Sequence, residues 1–154
     1  MKQITSFCNN NDILKKGMYI SRIDGDVITY DLRMVEPNKG SYLNNAGLHT
    51  FEHIFATYVR NSKYSDSIIY FGPMGCRRGF YFLTRDCISH KDAIALVQET
   101  MQFIKNFEGD IPGAQLSKEC GNYLDHNLEE AKSYATDYLQ VLDKYCVANL
   151  NYPE

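Results

Sequence analysis

The sequence predicts an α+β fold: an antiparallel sheet of about four strands with helices packed on one face. Three observations carry this. One short segment, Val27 to Met34, alternates with the period of two that marks a half-buried strand, and three more short runs beside turn signals read as strands. The first and second strands, and the third and fourth, are separated by turn-forming residues too few to hold a crossover helix, so each pair reads as an antiparallel hairpin. Three longer segments instead repeat their apolar residues with the helical period, giving each one stripe to bury.

Met18-Tyr19-Ile20-Ser21 suits the first strand, and Asp24-Gly25-Asp26 is a turn signal. In the second, Val27 to Met34, Ile28, Tyr30, Leu32 and Met34 take one face and Thr29, Asp31 and Arg33 the other, polar face. The first helix is expected from Leu48 to about Asn61. Ser67 to Phe71 and Gly79 to Thr84 form two more strands, joined by Gly72-Pro73-Met74-Gly75-Cys76-Arg77-Arg78. Ser89 is placed to cap the second helix, whose stripe is Ile94, Val97, Met101 and Ile104 before Gly109 stops it. Asn127 with Glu130 resembles a capping box for the third, which buries Leu128, Ala131, Ala135, Tyr138, Leu142 and Tyr145.

The chain has 154 residues, 44% hydrophobic and 23% charged, ordinary values for one globular domain spanning 1-154. A net charge of -3 gives no electrostatic reason to expect nucleic acid or an anionic membrane as partner. No apolar run approaches the roughly 20 residues that span a bilayer, and the first residues lack a signal-peptide pattern, so a cytoplasmic protein is expected. Five cysteines, widely spaced, argue against a disulfide framework. Cys87 and Cys146 read as packing residues.

The sharpest chemical signal is His49-Thr50-Phe51-Glu52-His53. Residues four apart on a helix share a face, with Cβ atoms about 5–6 Å apart, so two imidazoles can reach one metal ion. Glu52 falls beside the same site as a proton carrier. At this chain's own His and Glu frequencies the pattern arises by chance in roughly one such chain in 200. A catalytic metal usually takes three protein ligands and leaves a position open. Candidates for the third are Cys120, His126, His90 and Cys76. Cys120 is favoured because it stands in a polar stretch, Ser117 to Asn122, where a hydrophobe has no need to be and Gly121 lets the backbone bend. His126 reads as a surface histidine beside the third helix. Cys76, on a glycine-flanked turn before Arg77 and Arg78, reads as a thiolate base or nucleophile, because guanidinium groups favour the charged form.

Together these pieces resemble the S-ribosylhomocysteine lyase family, the enzymes that make the autoinducer-2 precursor. The amino-terminal Ser-Phe of that family is matched by Ser6-Phe7, its Phe-Asp-hydrophobic-Arg by Tyr30 to Arg33, and its Pro-Asn-Lys by Pro37 to Lys39. Its His-Thr-Leu-Glu-His becomes His49 to His53, Pro-Met-Gly-Cys is kept as Pro73 to Cys76, and Gln-Cys-Gly becomes Glu119 to Gly121. The resemblance implies a metal held by His49, His53 and Cys120, ferrous iron natively, with zinc or cobalt possible. It implies Glu52 and Cys76 as acid–base pair, with Ser6, Phe7 and Arg33 against a small-molecule substrate. It further implies a homodimer with shared sites, and cleavage of S-ribosylhomocysteine to homocysteine and 4,5-dihydroxy-2,3-pentanedione. Two positions depart from the family pattern: Asn11 stands where a histidine is usual, and Tyr70 lies where an acidic residue is usual. The alternatives are an inverted His-x-x-Glu-His zinc peptidase, with Glu52 activating water, and a metal-sensing module that needs neither Glu52 nor Cys76.

Overall fold

A computed structural model describes residues 1–153. Four strands, β1 (Gly17–Asp24), β2 (Val27–Arg33), β3 (Ile68–Pro73) and β4 (Gly79–Arg85), form one antiparallel sheet in the order β1-β2-β4-β3. Both predicted hairpins are present: β1 pairs with β2, β3 pairs with β4, and β2 with β4 closes the centre. Gly25 takes φ 61 in the first turn, a left-handed value that suits glycine.

The helices are α1 (Asn45–Arg60), α2 (His90–Lys105) and α3 (Leu128–Val141). The α2 stripe is buried as expected, and Ser89 caps the helix by accepting the Asp92 N–H. α2 ends at Lys105, four residues before Gly109, because the Asn106 backbone N–H closes the last turn on Gln102 and Ile104. Asn127 caps α3 by accepting the Glu130 N–H, but the Glu130 carboxylate turns to the Asn44 side chain instead of completing a box. α3 thereby helps fix the start of α1.

The core lies between the helices and the sheet face that carries Ile28, Tyr30, Leu32, Phe71, Phe80 and Phe82. Phe55 stacks on Phe71 at 3.7 Å and Phe51 on Phe80 at 4.8 Å, so α1 is fastened to β3 and β4 by aromatic faces. That contact aims the opposite side of α1, with His49 and His53, away from the sheet.

The second sheet face departs from the expectation of a solvated polar surface. Asp31 is wholly buried and Arg33 is 5% exposed. The carboxylate of Asp31 accepts Arg33 Nη2 at 2.8 Å and Nε at 3.2 Å. Terminal segments cover this face, and sequence alternation alone cannot reveal such a cover. Cys87 and Cys146 are also not packing residues: both are exposed, one against Ser67 Oγ at 3.1 Å, the other donating to Asn149 Oδ1 at 3.0 Å. Each sits at the end of an element, where polar partners are at hand and the core is not.

Candidate metal centre

α1 presents His49 and His53 one turn apart, half-buried, with ring centroids 4.6 Å apart and planes at 89°. Each Nδ1 is occupied by a backbone carbonyl at 2.8 Å, Asp125 O for His49 and Pro112 O for His53. A carbonyl only accepts, so both Nδ1 atoms carry the proton and both Nε2 atoms keep a lone pair. This is the arrangement that orients metal-binding imidazoles.

The loop between α2 and α3 brings the thiol. Glu119 folds it by accepting the Gln115 and Leu116 backbone N–H groups at 2.9 and 2.7 Å. Cys120 Sγ then lies 3.4 Å from His49 Nε2 and accepts the Asn122 N–H at 3.4 Å. For comparison, the S···N edge of a tetrahedral site with ordinary bond lengths is about 3.5 Å. Gly121 has positive φ neither here nor any crowding at its missing Cβ, so the bend does not require glycine. The glycine that matters is Gly113: its φ is +69, and a Cβ there would stand 3.2 Å from His53 Nδ1. Gly113→Ala is therefore expected to push His53 off Pro112 O and weaken metal affinity about 10–100-fold, read by competition with a chelator.

His126 corrects the sequence reading. It is not a surface histidine but half-buried within the cluster, and the ligand atoms of His49, His53, Cys120 and His126 all lie within 4.8 Å of one another. The Thr50 hydroxyl donates to Ala46 O, so it must accept from His126 Nδ1 at 2.9 Å. His126 Nε2 is then a buried lone pair with no partner among the described residues. Burial first, and the neighbouring His49 and His53 next, push its pKa down to about 4, so the ring is neutral at pH 7. Its orientation differs from that of the others: it stacks on His49 at 4.0 Å with planes inclined by only 20°. An ion about 2.0–2.1 Å from each Nε2 cannot lie in both ring planes when the planes are nearly parallel. His49, His53 and Cys120 therefore fit a metal with a position left open, and His126 backs them. Sequence reasoning named His126 as a candidate third ligand but set it aside, and it missed Thr50, Pro112, Gly113 and Asp125. Nothing local to Pro112-Gly113 says which side chain it supports. His90, another candidate, lies elsewhere, with Nδ1 2.8 Å from the Tyr30 hydroxyl.

Glu52 is half-buried on α1 beside His53. Cys76 stands elsewhere, exposed on the β3–β4 turn that the Arg77 N–H closes on Met74 O at 3.0 Å. Arg77 takes φ 58 and its guanidinium rests 4.1 Å over the Tyr42 ring, leaving Arg33 and Arg78 as the arginines that share a cavity with Cys76. That cavity, about 480 Å³, is also lined by Ser6, Phe7, Asn11 and Tyr81. No member of the His/Cys cluster lines it. Tyr70 faces a neighbouring hollow with Ser6 and Tyr81. A groove of about 520 Å³ beside Tyr58, Phe103 and Phe107 has no His, Cys or Arg in its lining.

Residues 4–147 match the family model described as S-Ribosylhomocysteinase (LuxS). Among curated proteins, the chain is 48% identical to an S-ribosylhomocysteine lyase of Porphyromonas gingivalis over the full length of both. It is 43% identical to one of Clostridium acetobutylicum, again over both full lengths. It is 46% identical to one of Borrelia garinii subsp. bavariensis, over 99% of this chain and 100% of that one.

Proposed function

The chain belongs to the S-ribosylhomocysteinase (LuxS) family, and from that premise we propose how its own residues carry out the lyase reaction. The substrate is S-ribosylhomocysteine and the products are homocysteine and 4,5-dihydroxy-2,3-pentanedione. The observation that carries the reading is the convergence of two Nε2 lone pairs and one thiol at the α1 face, each held from behind by a backbone group.

A thioether leaves poorly from an unactivated carbon, so the ribose carbonyl first moves along the chain until it lies β to sulfur. Each move takes a proton from a carbon beside a carbonyl. His49, His53 and Cys120 hold the metal, ferrous iron in our reading, with zinc or cobalt as substitutes. When bound, the metal supplies Lewis acidity that polarises sugar oxygens and stabilises the negative charge developing there. Cys76, as thiolate, takes the carbon proton and returns it to the adjacent carbon. Glu52 carries protons between the sugar oxygens. After two shifts Cys76 removes the last proton and the C–S bond breaks. Homocysteine leaves as the thiol, so atoms balance without a further reactant. Ser6, Phe7 and Arg33 bind the substrate in the cavity beside Cys76. The whole chain acts as one catalytic domain in the cytoplasm, where its five free thiols suit a reducing compartment.

Cys76's cavity and the metal residues are lined by separate sets of side chains within one chain. A second copy that apposes the two completes the site, which supports a homodimer. Light scattering at micromolar concentration is expected to give twice the 17.7 kDa chain mass; monomer alone would contradict the shared site. The function itself is tested by homocysteine release from S-ribosylhomocysteine, read with a thiol reagent. Metal-dependent release supports the reading, and cleavage of a peptide with no homocysteine release overturns it.

A further inference from the structure

Three tyrosines seven residues apart, Tyr138, Tyr145 and Tyr152, fasten the C-terminal leg of the chain to the sheet. Tyr138 donates to Gly17 O at 2.7 Å. The Tyr145 hydroxyl accepts the Met18 N–H at 2.9 Å and donates to Met18 O at 2.7 Å. These two hold β1, and their role ends there. The third does something different. The Tyr152 ring stacks on Tyr19 at 4.9 Å, and its hydroxyl donates to Asp31 Oδ2 at 2.6 Å. Asp31 has no access to water, so its oxygens depend on protein donors, and among the described residues it finds three: Arg33 Nε, Arg33 Nη2 and the Tyr152 hydroxyl.

Arg33 is the only one of these groups that lines the cavity of Cys76. With Nε and Nη2 turned toward Asp31, Nη1 and the second proton of Nη2 remain for a ligand. The geometry points to Tyr152 as a positioning residue: through Asp31 it fixes the fork of Arg33 in the substrate cavity. This rests on the proposed role of Arg33 in binding substrate. Without the Tyr152 hydroxyl, Asp31 keeps only the two bonds from the Arg33 fork itself, Nε on Oδ1 and Nη2 on Oδ2, so carboxylate and guanidinium can turn together and the ligand-facing N–H groups lose their aim. Burial first, and the Asp31 charge next, push the Tyr152 phenol far above its ordinary value, so it remains a donor at any working pH. Nothing near the reacting carbons changes when this hydroxyl is removed, so its effect falls on binding.

Steady-state kinetics on S-ribosylhomocysteine with the metal-loaded protein test this, with a thermal melt on each variant. Y152F keeps the ring on Tyr19 and loses only the hydroxyl. Its KM is expected to rise roughly 3–10-fold, the size of one charge-assisted hydrogen bond made imperfect, with kcat within about twofold. Y145F loosens the same leg without touching Asp31; it is expected to melt lower at unchanged KM. R33K keeps a charge over Asp31 but loses the fork, and should raise KM; adding Y152F to it should raise KM no further. Y152F at wild-type KM beside a raised R33K would overturn the proposal alone. R33K at wild-type KM would overturn the substrate role of Arg33 beneath it. Full additivity of Y152F and R33K, or an equal KM rise in Y145F, would make Tyr152 a structural residue only.

Discussion

His49→Ala, His53→Ala and Cys120→Ala are each expected to come off the column without stoichiometric metal and without measurable homocysteine release. The loss should exceed the roughly 10²–10⁴-fold of a single acid–base group, because every step depends on the charge the metal supplies. His49 and His53 cannot replace each other, since each Nε2 is aimed by its own carbonyl, Asp125 O or Pro112 O. Cys120→Ser is the graded case: an oxygen is a poorer ligand than a thiolate and should retain part of the metal. His126→Ala is the control from within the same cluster. Its ring, stacked 4.0 Å from His49, cannot share an ion with it, so this variant should keep its metal. Elemental analysis of the purified variants decides among these outcomes; a folded Cys120→Ala with full metal would refute the assignment.

Cys76→Ala should behave in the opposite way, keeping its metal and losing about 10²–10⁴-fold in turnover. The motive is its place: an exposed thiol on a tight turn, in a cavity with Arg33 and Arg78, apart from the His/Cys cluster. Glu52→Gln should also keep the metal and lose turnover to a similar extent, since it removes the proton carrier at nearly constant size. The two roles can be told apart. A hydrolytic enzyme built on His49 and His53 would need Glu52 and tolerate Cys76→Ala, whereas proton removal from a sugar carbon needs both.

Much of this was legible in the sequence because it is local. Period-two alternation found β2, strand-forming runs beside turns found the other three strands, and the short turns Asp24-Gly25-Asp26 and Pro73 to Cys76 found both hairpins. The four-residue spacing of His49 and His53 fixed a shared face, since helical geometry leaves no other outcome. What was not legible is set by contacts distant in the chain. His126 joins the cluster only because Thr50, on another element, accepts its Nδ1–H, and a lone histidine near a helix start carries no trace of that. Asp31 and Arg33 alternate like solvated strand residues, yet Tyr152, 121 positions beyond Asp31, helps to bury them. Gly121 beside Cys120 invited a steric explanation that belongs instead to Gly113 behind His53.

Metal content and homocysteine release, determined together on the wild-type protein and on Cys76→Ala, decide whether Cys76 acts on the sugar carbons while the metal stays in place. Equal metal is expected in both preparations, with release of homocysteine from S-ribosylhomocysteine by the wild type and almost none by the variant. Normal release by metal-replete Cys76→Ala would contradict the mechanism, whatever the metal ligands prove to be.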